Sequence, residues 1–340
     1  MTDTRPRMSI KSALTSYLSF AFAGAALSLS SSIASAQSAE AQFPNKPVKL
    51  VVPIAAGGGT DILARAVANQ LQKSLGWNMV VENRPGANGL IGSAAVAQAP
   101  ADGYTILVGS IGTHAANEFF YAKLPYHPER DFAPITSLAH YNNVVVVPSN
   151  SEIKTLGQLV GDAKKEPGKL NNGITVIGSS SHLAVELFKS IAGLDVTAVP
   201  YNGAVAAITG MYSGQTHFML DTIVSQASHI ESGRVRALAT TGGKRDPFLA
   251  NVPTIAESGY PGFQALGWTG LFAPAKTPPA IVNKISQAVK TAFESPDIQK
   301  QMGTRGVELA AMSPQEFTQF VANERERWGG IIKKANLKID

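Results

Sequence analysis

The sequence predicts an α/β fold made of two units. Short apolar runs rich in β-branched residues, typical of strands, alternate with runs that carry apolar residues at helical spacing. Such alternation is typical of a largely parallel sheet with helices on its faces. The chain has 340 residues and no cysteine, and a chain of this size buries a core without disulfide bonds. Roughly 300 residues remain after a predicted leader segment, which indicates two domains.

Residues 1–36 are predicted to be a secretory signal peptide. Three basic residues lie within the first eleven, an uncharged and mostly apolar stretch covers residues 13–33, and Ala34-Ser35-Ala36 fits a cleavage site before Gln37. Met1 and Met8 both fit as the start. The alternative is a membrane anchor, but serines and a glycine interrupt the apolar stretch, whereas a bilayer span has ~20 mostly apolar residues. We therefore expect export to the periplasm and cleavage near Ala36.

The charge of the remaining chain excludes several classes of function. Removal of the leader takes away three basic residues and one acidic residue, so the formal net charge falls from +5 to +3. No block of Lys and Arg stands out, and nucleic-acid or membrane-surface binding is therefore not expected. The six histidines show neither His-Glu-x-x-His nor another paired spacing. Without cysteine thiolates or such histidine pairs, we expect no metal site and no cofactor.

The first unit opens with a strand, a glycine-rich loop and a helix. Residues 48–52 form an apolar strand that ends at Pro53, and residues 61–75 carry an apolar residue at every fourth position before Gly76. The elements predicted next are a strand at 79–82, a turn at 84–89, a helix at 90–98 and a strand at 104–108.

The second unit continues the alternation, and a helical tail follows it. Its predicted strands are 144–147, 174–177, 196–200, 217–220 and 235–240, and its predicted helices are 157–165, 182–192, 204–213 and 225–232. After a loop rich in Pro and Gly, we predict a strand at 268–272 and helices at 281–294, 296–302 and 314–334. A tail that returns to the first unit makes the chain cross between units twice, and such crossings build a hinge around a cleft.

The stretch PIAAGGGTD, residues 53–61, places three consecutive glycines between the first strand and its helix. It matches neither the dinucleotide motif Gly-x-Gly-x-x-Gly nor the P-loop, which has Lys-Ser/Thr after its last glycine. Glycines let backbone N–H groups turn toward a ligand, and a helix start favours an anion. Because Asp61 would repel a polyphosphate, a carboxylate fits better. The alternative is an ordinary cap by Thr60 or Asp61 after a flexible turn.

Eight segments, in this order along the chain, resemble the signatures of one family. They are FPNKPVKLVVP (43–53), PIAAGGGTD (53–61), VENRPGANG (81–89), ADGY (101–104), GSSSHLA (178–184), VPY (199–201), GQ (214–215) and VPT (252–254). The sequence thereby resembles the periplasmic solute receptors of the tripartite tricarboxylate transporter (TTT) family, also called Bug proteins. The resemblance extends from about Phe43 to the C-terminus.

The resemblance implies a two-domain periplasmic-binding-protein fold of type II, which closes like a Venus flytrap about a hinge and a central ligand cleft. Domain 1 would comprise residues 43–141 and 270–340, and domain 2 residues 142–269. The implied ligand is a small organic carboxylate, either a dicarboxylate or an aromatic acid such as a terephthalate-like compound. The implied partners are the membrane subunits of a TTT permease, and a monomer is expected.

The resemblance also implies a ligand site in the cleft. Domain 1 would contribute the loop after the first strand (54–60), which Asp61 would orient, a brace for its wall, and the loop after the third strand (110–117). The residues that the resemblance singles out here are Ile54, Ala55, Ala56, Gly57, Gly58, Thr60, Asp61, Asp102, Ser110 and His114. Domain 2 would contribute Ser179, Ser180, Ser181, Tyr201, Asn202, Asp221 and Thr222. Many relatives carry an aromatic residue in place of Ile54 and a Lys or Arg in place of Asn202. These departures indicate a ligand outline different from citrate or an amino-dicarboxylate.

The sequence also bears on two other classes of function. A hydrolase is disfavoured because Gly178-Ser-Ser-Ser-His lacks the Gly-x-Ser-x-Gly pattern, and serines at a helix start also cap N–H groups. A sensory receptor of the same fold, feeding a two-component signalling system, stays open because it too needs only a closed, ligand-bound form. We expect His182 to pack within its helix. Trp268 is expected to pack in a hinge strand, with stacking on the ligand as the alternative.

Overall fold

Residues 42–334 and 336 are described in the computed structural model, so the signal peptide predicted at residues 1–36 lies outside the described part. Within this part the strands form two β-sheets, one of six strands and one of five. No helix among these residues is both long and apolar enough to cross a membrane. The α/β class predicted from the sequence is confirmed.

Strands and helices are numbered here along the described chain. The strands are β1 (Val48–Val52), β2 (Met79–Asn83), β3 (Thr105–Ser110), β4 (Phe132–Tyr141), β5 (Asn143–Pro148), β6 (Asn171–Ile174), β7 (Thr197–Pro200), β8 (Phe218–Thr222), β9 (Val235–Thr240), β10 (Gly267–Pro274) and β11 (Val307–Leu309). The helices are α1 (Gly59–Leu75), α2 (Leu90–Ala97), α3 (Asn117–Phe120), α4 (Leu156–Lys165), α5 (Ser180–Ala192), α6 (Ala204–Tyr212), α7 (Ile223–Glu231), α8 (Pro279–Phe293), α9 (Pro296–Gly303) and α10 (Pro314–Lys334). Short turns of other helix types lie at Ala87–Gly89, Gly112–Ala116 and Pro247–Leu249.

Both sheets mix parallel and antiparallel pairs. The six-stranded sheet has the order β11-β4-β10-β3-β1-β2, in which β1 is parallel to β2 and β3 while β10 is antiparallel to β3 and β4. The five-stranded sheet has the order β7-β6-β8-β5-β9, in which β6 is parallel to β7 and β8 while β5 is antiparallel to β8 and β9. Each of the parallel strands is followed along the chain by a helix or a helical turn.

The chain passes between the two sheets twice. β4 ends at Tyr141 and β5 begins at Asn143, so a single residue separates strands of different sheets, and the chain returns along residues 241–266. We call the elements around the six-stranded sheet lobe 1 (residues 46–141 and 267–334) and those around the five-stranded sheet lobe 2 (residues 142–266). The domain boundaries predicted at residues 141/142 and 269/270 stay a prediction.

Helix α10 packs onto the sheet of lobe 1. Its Phe317 lies over Gly270 of β10, where a Cβ would stand 2.1 Å from the ring. Trp268 is 1% exposed and meets Phe317 edge-on, with ring centroids 6.0 Å apart. The Glu324 carboxylate accepts hydrogen bonds from the indole N–H groups of Trp268 and Trp328, at 3.1 and 3.2 Å. Trp268 is thus a packing residue, and the helical tail returns to lobe 1.

Strand β4 was not predicted from the sequence. Its segment FAPITSLAHY contains Pro, Thr and Ser, which interrupt an apolar strand pattern. In the fold, Thr136 donates a hydrogen bond of 2.7 Å to the Met312 carbonyl, and Ser137 donates one to the Ala310 carbonyl. These polar side chains are satisfied by a segment more than 170 residues away, and local sequence carries no signal for such a contact.

A second difference concerns the strand predicted at residues 174–177. The strand β6 occupies Asn171–Ile174 instead, and residues 175–178 form a turn that leads into α5. The apolar residues Val176 and Ile177 suggested a strand, but Gly178 has a φ of +78° and turns the chain toward the helix. Residues 175–177 of this turn line the cavities between the two lobes.

The contact between Gly270 and Phe317 predicts a steric test of this packing. Gly270→Ala is expected to lower the free energy of unfolding by about 1–3 kcal/mol, because the new methyl group displaces the ring. The matched control is Gly161→Ala in α4, where a Cβ meets nothing within 4 Å; this change is expected to stabilise by up to ~1 kcal/mol through helix propensity. Urea unfolding of both variants measures the two effects, and equal stabilities would contradict the packing described here.

Candidate functional site

Two adjoining cavities lie between the lobes, at the carboxyl ends of β1, β3, β6 and β8. The volume that the centre of a water-sized sphere can occupy is about 70 Å³ in the inner cavity and about 460 Å³ in the outer one. Loops after the carboxyl ends of strands are the usual ligand-binding edge of α/β sheets. The cavities share a set of lining residues: Pro53, Ile54, Ala55, Asn88, Gly89, Thr175, Val176, Ile177 and Gly203.

The sequence-predicted site residues fall into three groups. Those that line the inner cavity are Ile54, Ala55, Gly58, Thr60, Ser110, Ser179, Ser180, Ser181, Asp221 and Thr222. Those that line the outer cavity are Ile54, Ala55, Tyr201 and Asn202. Those that line neither are Ala56, Gly57, Asp61, Asp102 and His114. Direct contact of these residues with a ligand stays a prediction.

Asp61 holds the glycine loop in place from behind. Its carboxylate accepts hydrogen bonds from the Gly57 amide at 2.9 Å, from Asn83 at 2.9 Å and from Arg65 at 3.1 Å. Asn83 also donates to the Ile54 carbonyl at 3.1 Å. Burial acts to raise the pKa of Asp61, but the hydrogen bonds of Arg65, Gly57 and Asn83 outweigh it, so the pKa lies below its ordinary value. Asp61 therefore stays ionised and orients the loop.

His114 supports the loop after β3 from within the core. Its ring is fully buried and stacks on Phe272 with centroids 3.7 Å apart. Nδ1 lies 2.9 Å from the hydroxyl of Thr113, which in turn accepts a hydrogen bond from the Ser110 amide at 2.9 Å. Burial, together with the charge of Arg325, lowers the pKa of His114 to about 3. The imidazole is therefore neutral and positions Ser110 through Thr113.

Asp102 lies in a surface turn. Its carboxylate accepts a hydrogen bond from the Tyr104 amide at 3.0 Å and lies 3.6 Å from the Lys46 ammonium group. These contacts are those of a turn residue that is bonded to its own backbone.

Four helices begin at the wall of the inner cavity: α1 after Gly58, α5 after Ser179, α6 after Gly203 and α7 after Thr222. The hydroxyls of Ser179 and Thr222 accept hydrogen bonds from backbone N–H groups of their own helices. Gly58 and Gly203 provide no side-chain cap, so the first N–H groups of α1 and α6 are left for other partners. Each helix start also carries a partial positive charge.

Cationic side chains do not contribute to this wall. Among the described residues, no Lys, Arg or His lines either cavity, and no group of three or more His, Cys, Asp or Glu is placed to hold a metal ion. The attraction that the cavity offers to an anion therefore comes from main-chain donors, hydroxyl groups and helix starts.

The lobes approach one another closely around the cavity, and glycines permit this. A Cβ on Gly59 would stand 2.6 Å from the Thr222 hydroxyl, and one on Gly203 would stand 3.0 Å from Ala55. A Cβ on Gly112 would stand 3.0 Å from the Gly178 carbonyl. Contacts of this kind on several sides show that the cleft is closed in this structure.

Tyr141 links the lobes at the floor of the cavity. Burial raises its pKa to about 12, although hydrogen bonds with Ser180 of lobe 2 and Thr60 of lobe 1 act in the opposite direction. Ser180 also donates a hydrogen bond of 3.2 Å to Asn143. Because Tyr141 is the last residue of β4, this phenol lies where the chain first crosses between the lobes.

Asp221 at the end of β8 places a carboxyl group in the wall, and it is 3% exposed. One oxygen accepts a hydrogen bond from the Thr222 amide at 2.8 Å and the other from the Gln226 side chain at 2.9 Å. Burial raises the pKa of Asp221 to about 6, since hydrogen bonds from Gln226, Thr222 and Ser225 only partly oppose it. The carboxyl therefore changes protonation state in mildly acidic solution.

Sequence reasoning missed part of the wall. The lining residues of the inner cavity outside the predicted loops 54–60 and 110–117 are Pro53, Asn88, Gly89, Val108, Tyr141, Thr175, Val176, Ile177, Gly203, Ala204 and Ser225. Asn88 and Gly89 lie in RPGANG, which the sequence predicts only as a turn. Residues 86–89 of that turn all have positive φ, including Ala87 at +44° and Asn88 at +54°, and strained non-glycine residues cluster at functional sites.

The raised pKa of Asp221 predicts how stability depends on pH. The native state holds this proton more tightly than the unfolded chain, whose carboxyl has the ordinary value of 3.8. The contribution of Asp221 to stability is therefore full below about pH 4 and is lost as pH rises through about 6. Urea unfolding between pH 4.5 and 7.5 should show wild type losing stability relative to Asp221→Asn up to about pH 6.5. A pH-independent difference would contradict this.

Comparison with known proteins places this cleft in a family. A family model described as "Tripartite tricarboxylate transporter family receptor" matches residues 63–337. A solved R. palustris protein with adipate is 35% identical, with a TM-score of 0.85 over 87% of this chain and 99% of that one. MatC from Rhodopseudomonas palustris with bound malate is 34% identical, with a TM-score of 0.80 over 85% of this chain and 100% of that one.

The periplasmic binding protein BugD is 32% identical, with a TM-score of 0.83 over 87% of this chain and 99% of that one. The agreement extends over both sheets, as the coverage shows. The fold predicted from the sequence resemblance is thereby confirmed. The chain belongs to the tripartite tricarboxylate transporter receptor family, whose members are periplasmic solute-binding proteins and not enzymes.

Proposed function

We propose that this protein captures a small organic carboxylate, a dicarboxylate or an aromatic carboxylate, and delivers it to a TTT permease in the membrane. The observation that carries the proposal is a closed cavity at which four helices begin and which no cationic side chain lines among the described residues. Such a site suits a carboxylate, whose two oxygens accept several directed hydrogen bonds at once. Adipate and malate in the two solved relatives support this class of ligand.

The walls indicate the shape of the ligand. Ile54 of lobe 1 and Val176 and Ile177 of lobe 2 line both cavities and give them an apolar wall. Asn202 offers a neutral amide to the outer cavity. The middle of the ligand is therefore proposed to be a carbon chain or a ring, with a carboxylate at one or both ends.

Capture and release are proposed to follow a hinge motion. Lobes joined by two crossings close on a ligand with little change inside each lobe. The closed form would be the shape that the permease recognises. A signal peptide at residues 1–36 would direct the chain to the periplasm, where it would act as a monomer. We propose domain boundaries near residues 141/142 and 269/270, where the chain crosses between the sheets.

A thermal-shift screen tests the ligand class. The screen covers linear dicarboxylates, hydroxy-dicarboxylates and aromatic carboxylates, with amines and neutral sugars as controls. A ligand at 100 times its dissociation constant adds about 2.7 kcal/mol to the free energy of unfolding, which gives a clear shift in melting temperature. The expected hits are carboxylates alone. Stabilisation by sugars or amines, and by no carboxylate, would contradict the proposed function.

The glycine loop predicts an order of effects among variants. Gly58→Val is expected to fill the loop and block its donors, costing at least ~3 kcal/mol or more than a hundredfold in affinity. Ser180→Ala is expected to cost only about 1–2 kcal/mol, because water partly replaces a hydroxyl.

Titration calorimetry with the best carboxylate from the screen measures both changes. The matched control is Gly330→Val in α10, where a Cβ meets nothing within 4 Å, and it is expected to bind as wild type does. If Gly58→Val binds as tightly as wild type, the glycine loop is only a turn and the carboxylate lies elsewhere.

A further inference from the structure

A carboxyl group stands in the wall of a cavity that is proposed to receive carboxylates. Asp221 lines the same inner cavity as Gly58 and Thr60 of the glycine loop. The next residue, Thr222, touches the loop, since a Cβ on Gly59 would stand 2.6 Å from its hydroxyl. An anion bound at the start of α1 therefore lies close to the Asp221 carboxyl.

Among the residues that the structure describes, no Lys, Arg or His lines the inner cavity beside Asp221. From α7, Gln226 and Ser225 hydrogen-bond to Asp221, and the phenol of Tyr141 in β4 interacts electrostatically with it.

Other titratable residues lie near the cavity wall. They include Asp61 of α1, ion-paired with Arg65, and His182 of α5, while Tyr201 lines the outer cavity.

His182 stays uncharged near neutral pH. Its ring nitrogen Nδ1 accepts a hydrogen bond from the Gly178 amide at 3.0 Å, and burial lowers its pKa. The Arg65 guanidinium bonds to Asp61 and Asn83 behind the loop and does not line the cavity. A ligand carboxylate and an ionised Asp221 would thus face each other in a closed space with no positive side chain between them.

Two carboxylates in one desolvated site do not both remain ionised; they share a proton, because like charges at close range favour the neutral form of one of them. Building on the proposed function, we propose that carboxylate binding takes up one proton from solvent. The proton resides on Asp221, and Asp221 then donates a hydrogen bond to the ligand carboxylate. No covalent bond changes; the proton returns to solvent when the ligand leaves.

Burial raises the pKa of Asp221 to about 6 even though hydrogen bonds from Gln226, Thr222 and Ser225 oppose it, and a neighbouring anion raises it further. Above pH 6 binding must therefore draw a proton from solution, and the dissociation constant rises with pH. If one proton is taken up for each ligand bound, the dissociation constant rises tenfold for each pH unit. If an ammonium group of the ligand lay against an ionised Asp221, the dissociation constant would instead fall as pH rises. A hydroxyl group of the ligand in that place would give no dependence on pH.

Titration calorimetry with adipate between pH 6.5 and 8.5 tests this inference. The carboxyl groups of adipate resemble that of a glutamate side chain, whose pKa is about 4.3. They stay largely ionised over the whole range, so the ligand itself contributes little to the slope. The dissociation constant is expected to rise by up to about a hundredfold over these two units. A constant affinity would overturn the proton uptake and leave carboxylate binding intact, whereas no binding by adipate or any other carboxylate would overturn the proposed function itself.

A count of protons provides a second readout that needs no variant. Binding heats measured at pH 7.5 in phosphate and in Tris differ by the number of protons taken up multiplied by the difference between the ionisation enthalpies of the two buffers. The expected number for wild type approaches one, and a value of zero would overturn the proposal.

Asp221→Asn should bind adipate with an affinity that does not change between pH 6.5 and 8.5 and with no proton uptake, because the amide donates a hydrogen bond without titrating. The matched control is Asp162→Asn, at an exposed carboxyl on α4, and it should keep the wild-type slope and proton count. An Asp221→Asn variant that folds and retains the full pH slope would overturn the assignment of the proton to Asp221.

Discussion

The cleft presents main-chain N–H groups where many anion sites present a cation, and much of the surrounding structure holds those groups in position. Gly58 and Gly203 leave two helix starts without a side-chain cap. Asp61 and its partners Arg65 and Asn83 fix the glycine loop from behind. A main-chain donor cannot move toward its ligand as a lysine can, so its position must be set by the fold itself. The Asp61 network meets that requirement at the loop after β1.

Close approach of the lobes depends on the same small residues. Gly59 and Gly112 belong to lobe 1 and meet Thr222 and the Gly178 carbonyl of lobe 2 at distances that a side chain would prevent. A closed cleft excludes water, which strengthens each hydrogen bond inside it. In the proposed site the glycines would therefore act in two ways, by exposing main-chain donors and by allowing the lobes to meet. Tyr141, at the first crossing, ties both lobes to the floor of the cavity.

Asp221 contributes an acidic group to a cavity wall at which four helix starts place partial positive charge. It lies beside the start of α7, which favours its ionised form, while burial favours its neutral form and prevails. If the cavity binds carboxylates as proposed, an acidic group in its wall would make the site sensitive to the proton as well as to the ligand. Helix starts from both lobes would then act together with an acid from lobe 2.

Local sequence determined the α/β class, most helices, the glycine loop and the motifs that identify the family, because these depend on short-range periodicity and on glycines at fixed spacings. It did not determine β4, whose polar Thr136 and Ser137 are satisfied by carbonyls more than 170 residues away. Nor did it reveal that residues 175–177 are a turn in the cavity wall, that His114 is buried, or that Tyr141 joins the lobes. The raised pKa of Asp221 likewise depends on burial between elements that are distant in sequence, so only the tertiary structure decides it.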